Sequence, residues 1–264
     1  ELLGAPRVIN PARDSLKGGF LGPAFSTYEV EAYVDRHDVP SQQIEDPEER
    51  ARIVADALAD GKVVGFFSGR MEFGPRALGA RSILADPRQA DMQSRMNLKI
   101  KYRESFRPFA PAVLAEHAGD HFELDADSPY MLFVAPVNHK RRLPMVDAAN
   151  DGDDMLPIII QVRSDIPAVT HVDYSARVQT VGENANPEFL RTLRAFHAKT
   201  ACPVLVNTSF NIRGEPIVCT PQDAYRCFMN TGMDLLVLED RLLWKHEQPI
   251  QTEDHKLVNE YEPD

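Results

Sequence analysis

The chain has 264 residues, 43% of them hydrophobic, with a net charge of −11 and a mean hydropathy of −0.33. That is enough apolar material for a full globular core, but no apolar run approaches the ~20 residues of a membrane span, and the sequence shows no charged-then-apolar leader. So acidic a chain is unsuited to tight, unspecific binding of duplex nucleic acid.

Residues 1–46 are punctuated by Gly4, Pro6, Pro11, Gly18, Gly19, Gly22, Pro23 and Pro40. They read as a connector with one short helical stretch near Thr27 to Arg36. Asp46-Pro47-Glu48-Glu49 has the pattern of a helix start, with a cap, Pro at N1 and acids in the first turn. That helix should end near Gly61, and KVVGFF (62–67) should follow as a buried strand. A Gly/Pro/Arg loop (68–81) comes next, then a strand over 81–84 and a helix over 91–99. Further strands are expected at 109–114 and 131–137, with a short helix at 115–122 between them. Residues 138–154 are polar and read as an exposed insertion or lid. Strand and polar turn mix over 169–181. A Pro-started helix (187–199), a buried strand (203–207), a second Pro-started helix (221–229) and a last core strand (235–238) complete a domain over 47–245. Residues 246–264 form an acidic tail. Some neighbouring strands are too closely spaced for helical crossovers, so the fold class is α+β with a mixed sheet.

The three cysteines, Cys202, Cys219 and Cys227, have no CxxC spacing and cannot complete a disulfide framework; they fit buried thiols and a reducing cytoplasm. His117 and His121 are four apart, but Gly119 separates them and no zincin glutamate follows, so they read as surface histidines. Walker, dinucleotide-binding and GxSxG motifs are absent.

Charge is uneven. Between Gly69 and Arg107 nine bases face four acids, a local +5 that leaves −16 for the rest. Such focusing suits a small anion. Four segments carry the chemistry. In GRMEFGPRALGARS (69–82), Arg70 and Arg76 offer forks that match phosphate oxygens, on a backbone that glycines open to close approach. In KYRESFRPF (101–109), an extended backbone would send Lys101, Arg103 and Arg107 to one side. In NTSFNIRGEP (207–216), Asn207, Ser209 and Asn211 stand where a strand ends, with donors and acceptors for a nucleotide. HVDYSARVQT (171–180) supplies His171 and Arg177.

Together these blocks resemble the C-terminal half of the nodulation and antibiotic O-carbamoyltransferases. The likeness runs from about Gly61 to Leu238, in four ordered blocks. It implies a YrdC-like twisted mixed sheet with flanking helices. The implied chemistry is hydrolysis of carbamoyl phosphate to carbamate, then adenylation by ATP to give carbamoyl adenylate and pyrophosphate. The YrdC pattern KxR…SxN falls on Lys101-x-Arg103 and Ser209-x-Asn211. On that mechanism Arg76, Lys101, Arg107 and His171 are the expected catalytic groups, and Arg70, Arg103, Arg177, Asn207, Ser209 and Asn211 are expected to bind substrate and ATP. Mg²⁺ is expected on the triphosphate. A further metal belongs only to an upstream transferase domain, the expected partner, for which residues 1–46 would be the junction. Neither nucleic acid nor membrane is an expected partner. The alternatives are a threonylcarbamoyl-AMP synthase, against which GPRALGARS and NTSFNIRGEP argue, and a nucleotide-binding fragment inactive without its partner domain.

Overall fold

The computed structural model describes residues 14, 16–145 and 161–249. Among the described residues nine strands form one mixed sheet in the order β1-β9-β8-β2-β3-β7-β4-β6-β5. They are β1 (Gln42–Gln43), β2 (Val64–Phe67), β3 (Arg81–Ala85), β4 (Ala110–Leu114), β5 (Phe133–Pro136), β6 (Ser175–Val181), β7 (Val204–Ser209), β8 (Leu235–Leu238) and β9 (Arg241–Trp244). The pairs β2–β8 and β4–β6 are parallel; the others are antiparallel. This is the mixed α+β sheet that the strand spacing requires.

The central strands are buried on both faces; β2 and β8 read as continuous apolar runs, while β3 also buries Arg81 and Ser82 at its start. Alternation along β2 assigns the faces. Phe66 packs against Phe189, ring centroids 6.2 Å apart, while a Cβ on Gly65 would meet Phe210 and Met233 on the other side.

The helices are α1 (Thr27–Arg36), α2 (Pro47–Ala59), α3 (Met92–Met96), α4 (Ala118–His121), α5 (Pro187–Thr200) and α6 (Pro221–Met229). Caps set their starts. The Asp46 side chain accepts from Glu48 N, the Asn186 amide oxygen from Glu188 N and Phe189 N, and Thr220 and Asp223 form a capping box. Helix α5 buries Phe189, Leu190, Leu193 and Phe196; each fully buried side chain of this size stabilises by roughly 1.5–3 kcal/mol.

Several elements depart from the sequence expectations. Leu235–Leu238 is not the last strand. The turn Glu239-Asp240 reverses the chain into β9, with Glu239 at φ 54°, and no glycine signals it. The expected helix 91–99 ends at Met96, and residues Asn97–Lys101 form a π-turn. The expected helix 115–122 splits into a 3₁₀ turn and α4. Upstream of residue 47, Val30 and Val34 of α1 lie in the core and β1 extends the sheet beside β9. Of the expected insertion, 138–145 hold one 3₁₀ turn, and Arg142 bridges to Ser164; 146–154 lie outside the described residues. In the expected tail, Gln248 is buried and donates to Pro40 O and Trp244 O; 250–264 lie outside the described residues. His121 is buried, not a surface histidine. Cys202 and Cys227 are buried and Cys219 half-buried, all free thiols. Among the described residues no helix is long and apolar enough to cross a membrane.

Candidate active site

The π-turn Asn97–Lys101 delivers Lys101 inward, and Tyr102 follows in the left-handed region at φ 47°. Such a turn inserts an extra residue and redirects what comes after it. The Lys101 side chain crosses to the end of β7. Its Nζ donates to Ser209 O, to Asn211 O at 2.9 Å and to Asn211 Oδ1 at 3.0 Å, with Ser209 Oγ at 3.4 Å. Ser209 Oγ in turn donates to Asn211 Oδ1 at 2.6 Å. Lys101 of KxR and both polar residues of SxN thus meet in one partly buried polar junction. Among the described residues no carboxylate joins it. Burial, with a smaller push from Arg103, brings the Lys101 ammonium down from 10.5 to about 7.

Arg103 is half-buried, with its guanidinium 5.0 Å from the centroid of the Phe109 ring and its Nε donating to Asn97 Oδ1 at 2.6 Å. Desolvation first, then Arg107, lowers its pKa to about 10. Arg107 takes another course, pairing with Glu104 at 2.8 Å on the surface. Lys101, Arg103 and Arg107 stay within electrostatic reach, Arg103 acting on Lys101 and Arg107 on Arg103, but not by the expected route. The backbone here is a π-turn and a loop, not an extended strand.

The loop joining β2 to β3 is held by a carboxylate. Glu72 is buried, and its Oε1 accepts from Leu78 N at 2.6 Å, Ala80 N at 2.7 Å and Arg81 N at 3.3 Å. At its entrance Gly69 N donates to Glu239 at 2.9 Å, and Arg81 Nη1 donates to Gly69 O at 3.0 Å. The Glu239 carboxyl is pushed up by burial against the pull of these contacts. Arg81 is fully buried over the Phe67 ring, 3.5 Å from its centroid. The loop rests on the sheet through two amides. Asn207 Nδ2 donates to Ala77 O at 3.1 Å and to Gln179 Oε1 at 2.7 Å, and Gln179 Nε2 donates to Leu78 O at 2.9 Å.

This seating brings Arg76 beside Arg177, which lies two residues before Gln179 on β6 and so shares its face. The Arg177 guanidinium is held below its ordinary range, by burial first and then by the charge of Arg76. The Nε of each arginine is buried without a hydrogen-bond partner among the described residues, as is Asn207 Oδ1. Two adjacent cations with orphaned donors form a receptor for an anion. His171 stands close to Arg177, its pKa lowered first by desolvation, and its Nδ1 lies 3.3 Å from Ser175 Oγ. Arg70 is exposed and donates to Gly22 O.

The structure thus gathers Lys101, Ser209 and Asn211 with Arg103 nearby, and separately Arg76 with Arg177, His171 and, under the loop, Asn207. Arg70 and Arg107 stand on the surface with partners of their own. Sequence reasoning missed Glu72, Asn97, Gln179, Arg81 and Glu239, all of which fix the backbone around these side chains. Glu72 was legible as an acid inside a basic loop; nothing local marks Gln179 or Glu239. Among the described residues, no group of three or more His, Cys, Asp or Glu side chains could hold a metal ion. A cavity of about 380 Å³ is lined by Leu78 and Gln179, with Asp127, Tyr130 and Glu183 also in its wall. Its acidic lining does not suit phosphate.

The sequence from residue 55 to 245 matches the family described as carbamoyltransferase C-terminus. The chain belongs to that family. A carbamoyltransferase-family relative, the 3'-hydroxymethylcephem-O-carbamoyltransferase of Amycolatopsis lactamdurans, is 36% identical over 211 residues, covering 80% of this chain and 36% of its own. Nodulation protein NolNO of Sinorhizobium fredii is 43% identical over 206 residues, 77% of this chain and 27% of its own. A protein of Synechocystis sp. is 56% identical over 256 residues, 95% of this chain and 41% of its own. The chain therefore spans less than half the length of each of these carbamoyltransferase-family relatives.

Proposed function

We propose that this domain activates carbamoyl phosphate with ATP. Water first cleaves carbamoyl phosphate to carbamate and inorganic phosphate. A carbamate oxygen then attacks the α-phosphorus of ATP, and pyrophosphate leaves, giving carbamoyl adenylate. The observation that carries this reading is the junction of Lys101 with Ser209 and Asn211, set near Arg103. Charge grows on phosphoryl oxygens during adenylation, and fixed cations stabilise it without reorganising. Arg76 and Arg177 would hold the carbamoyl phosphate, with their orphaned Nε donors turned to its oxygens. Lys101 and Arg103 would face the α-phosphate, and Ser209 and Asn211 would keep the Lys101 ammonium aimed. His171, neutral because burial lowers its pKa, would orient the hydrolytic water. Arg70 and Arg107 would add field from the rim. Mg²⁺ would arrive on the triphosphate, whose oxygens suit it better than these cationic and amide side chains do. Transfer of the carbamoyl group to a hydroxyl acceptor would then involve the portion of the longer relatives that this chain does not span.

The test is pyrophosphate release from ATP and Mg²⁺ with carbamoyl phosphate, with bicarbonate plus threonine, or with neither. Release that requires carbamoyl phosphate is the expected result. Release that requires threonine would move the chain to threonylcarbamoyl-adenylate chemistry. No release, with ATP still bound, would reject an autonomous half-reaction.

A further inference from the structure

We infer that Asn97 is a positioning residue of this site, one that orients the guanidinium of Arg103 and seats the loop 102–107 in a single arrangement. The inference rests on the reading above in giving Arg103 a substrate to meet; the orientation itself rests on the geometry alone.

Asn97 is fully buried at the point where α3 gives way to the π-turn. Its side-chain amide is used from both ends. Nδ2 donates to Ser105 O at 3.0 Å and to Arg107 O at 2.8 Å, and Oδ1 accepts from Arg103 Nε at 2.6 Å. Its backbone carbonyl accepts from Tyr102 N and from Arg103 N at 3.1 Å. One residue thus reaches positions 102, 103, 105 and 107. Two carbonyl partners and one guanidinium partner also fix which way the amide lies. A carboxylate in its place would meet two carbonyl oxygens with no proton to offer, and an alkyl group would leave every partner unmet.

The consequence falls on Arg103. Its Nε is spent on Asn97 and its Cζ sits over the Phe109 ring, while its two terminal nitrogens make no hydrogen bond to a described residue. The guanidinium is therefore held by its stem and presents its outer fork, the geometry that grips a phosphate or carboxylate in two-point fashion. Arg103 is half-buried and flanked by Lys101 and Arg107, so a free rotor here would swing away from its like-charged neighbours. Asn97 holds it against that repulsion.

The experiment uses the full chain with ¹⁵N-labelled arginine. The Nε–H of Arg103, assigned by its loss in Arg103→Ala, should exchange slowly with solvent in the native protein. It should exchange at least tenfold faster in Asn97→Ala. Asn97→Asp keeps the acceptor for Arg103 Nε and should keep that protection while losing both donors to the loop; Asn97→Ser, which is too short to reach Arg103, stands in should Asn97→Ala not fold, and should show the same faster exchange. In pyrophosphate release, Asn97→Ala should lower kcat/KM tenfold or more, and adding it to Arg103→Ala should change the rate less than twofold. Fast exchange in the native protein, or fully additive losses, would overturn the assignment. Unchanged turnover in Arg103→Ala would instead reject the role proposed for Arg103, and the exchange data alone would then decide whether Asn97 orients it.

Discussion

Lys101 and Asn211, 110 positions apart, meet through a 3.0 Å hydrogen bond from Nζ to Oδ1. Among the described residues every partner of this ammonium is a neutral oxygen. Its burial is therefore uncompensated by charge, and the stability of the fold depends on pH in a definite direction. In the unfolded chain the lysine titrates near 10.5, in the fold near 7. Below pH 7 both states carry the charge, and the fold bears the whole cost of burying it. Between 7 and 10.5 the unfolded chain binds more protons than the fold, so stability rises with pH across that window. Unfolding of the native protein and Lys101→Met by urea at pH 6 and pH 9 checks this. The advantage of the methionine variant should shrink on going to pH 9, by on the order of a few kcal/mol. An advantage independent of pH would show the lysine charged throughout.

The same cation predicts proton uptake. An arriving phosphate supplies the missing counter-charge and raises the pKa of Lys101. At pH 8, binding of ATP or pyrophosphate should draw a proton from solution. Calorimetry in buffers of different ionisation enthalpy should show this in the native protein and lose it in Lys101→Met.

Arg76 and Arg177 place function against stability. Each carries a buried Nε without a partner among the described residues, and the two repel. Replacing either by Met should leave the fold as stable or more so, while transition-state stabilisation falls by roughly 2–4 kcal/mol. Pyrophosphate or carbamoyl phosphate should raise the Tm of the native protein and not that of either variant. A ligand-induced shift of native size in Arg76→Met would remove that residue from the anion site.

Two glycines of the arginine loop look alike in sequence and differ in structure. Gly79 has φ 110°, and a Cβ there would lie 2.2 Å from Phe189 Cδ1. Gly74 has φ 147° with nothing within 4 Å of the same position. Gly79→Ala must displace a fully buried ring and should destabilise by about 3 kcal/mol or more. Gly74→Ala meets only backbone strain and should cost about 1–2 kcal/mol. Denaturant midpoints of the two variants decide it.

The fold was legible where periodicity and caps agree. Asp46-Pro47 and Asn186-Pro187 mark helix starts that the structure keeps, and the apolar runs of β2, β7 and β8 are central strands. It was illegible where a turn uses an ordinary residue in the left-handed region, as at Glu239 and Tyr102. The pairing of Lys101 with Ser209 and Asn211 was readable only as a motif, because no local rule relates segments 110 positions apart. The ion pair of Arg107 went unread for a simpler reason. Its partner Glu104 lies three residues before it, and a contact within a loop is cheaper than one across the sheet.

Glu72 supplies the last prediction, because it ties the arginine loop to the fold. One carboxylate oxygen accepts three backbone N–H groups, from Leu78, Ala80 and Arg81. Those donors are buried and have no route to water, so removing the acceptor strands all three. Glu72→Ala should lose about 3 kcal/mol or more of stability, at roughly 1 kcal/mol or more for each stranded donor. Glu72→Gln keeps an oxygen of the same reach without the charge, and should cost about 1–2 kcal/mol. The functional effect should follow the loop, since Arg76 lies within the span that Glu72 closes. In Glu72→Gln the KM for carbamoyl phosphate should rise while that for ATP stays near native. An equal rise in both would show Glu72 supporting the domain as a whole, with no particular bearing on the seat of Arg76.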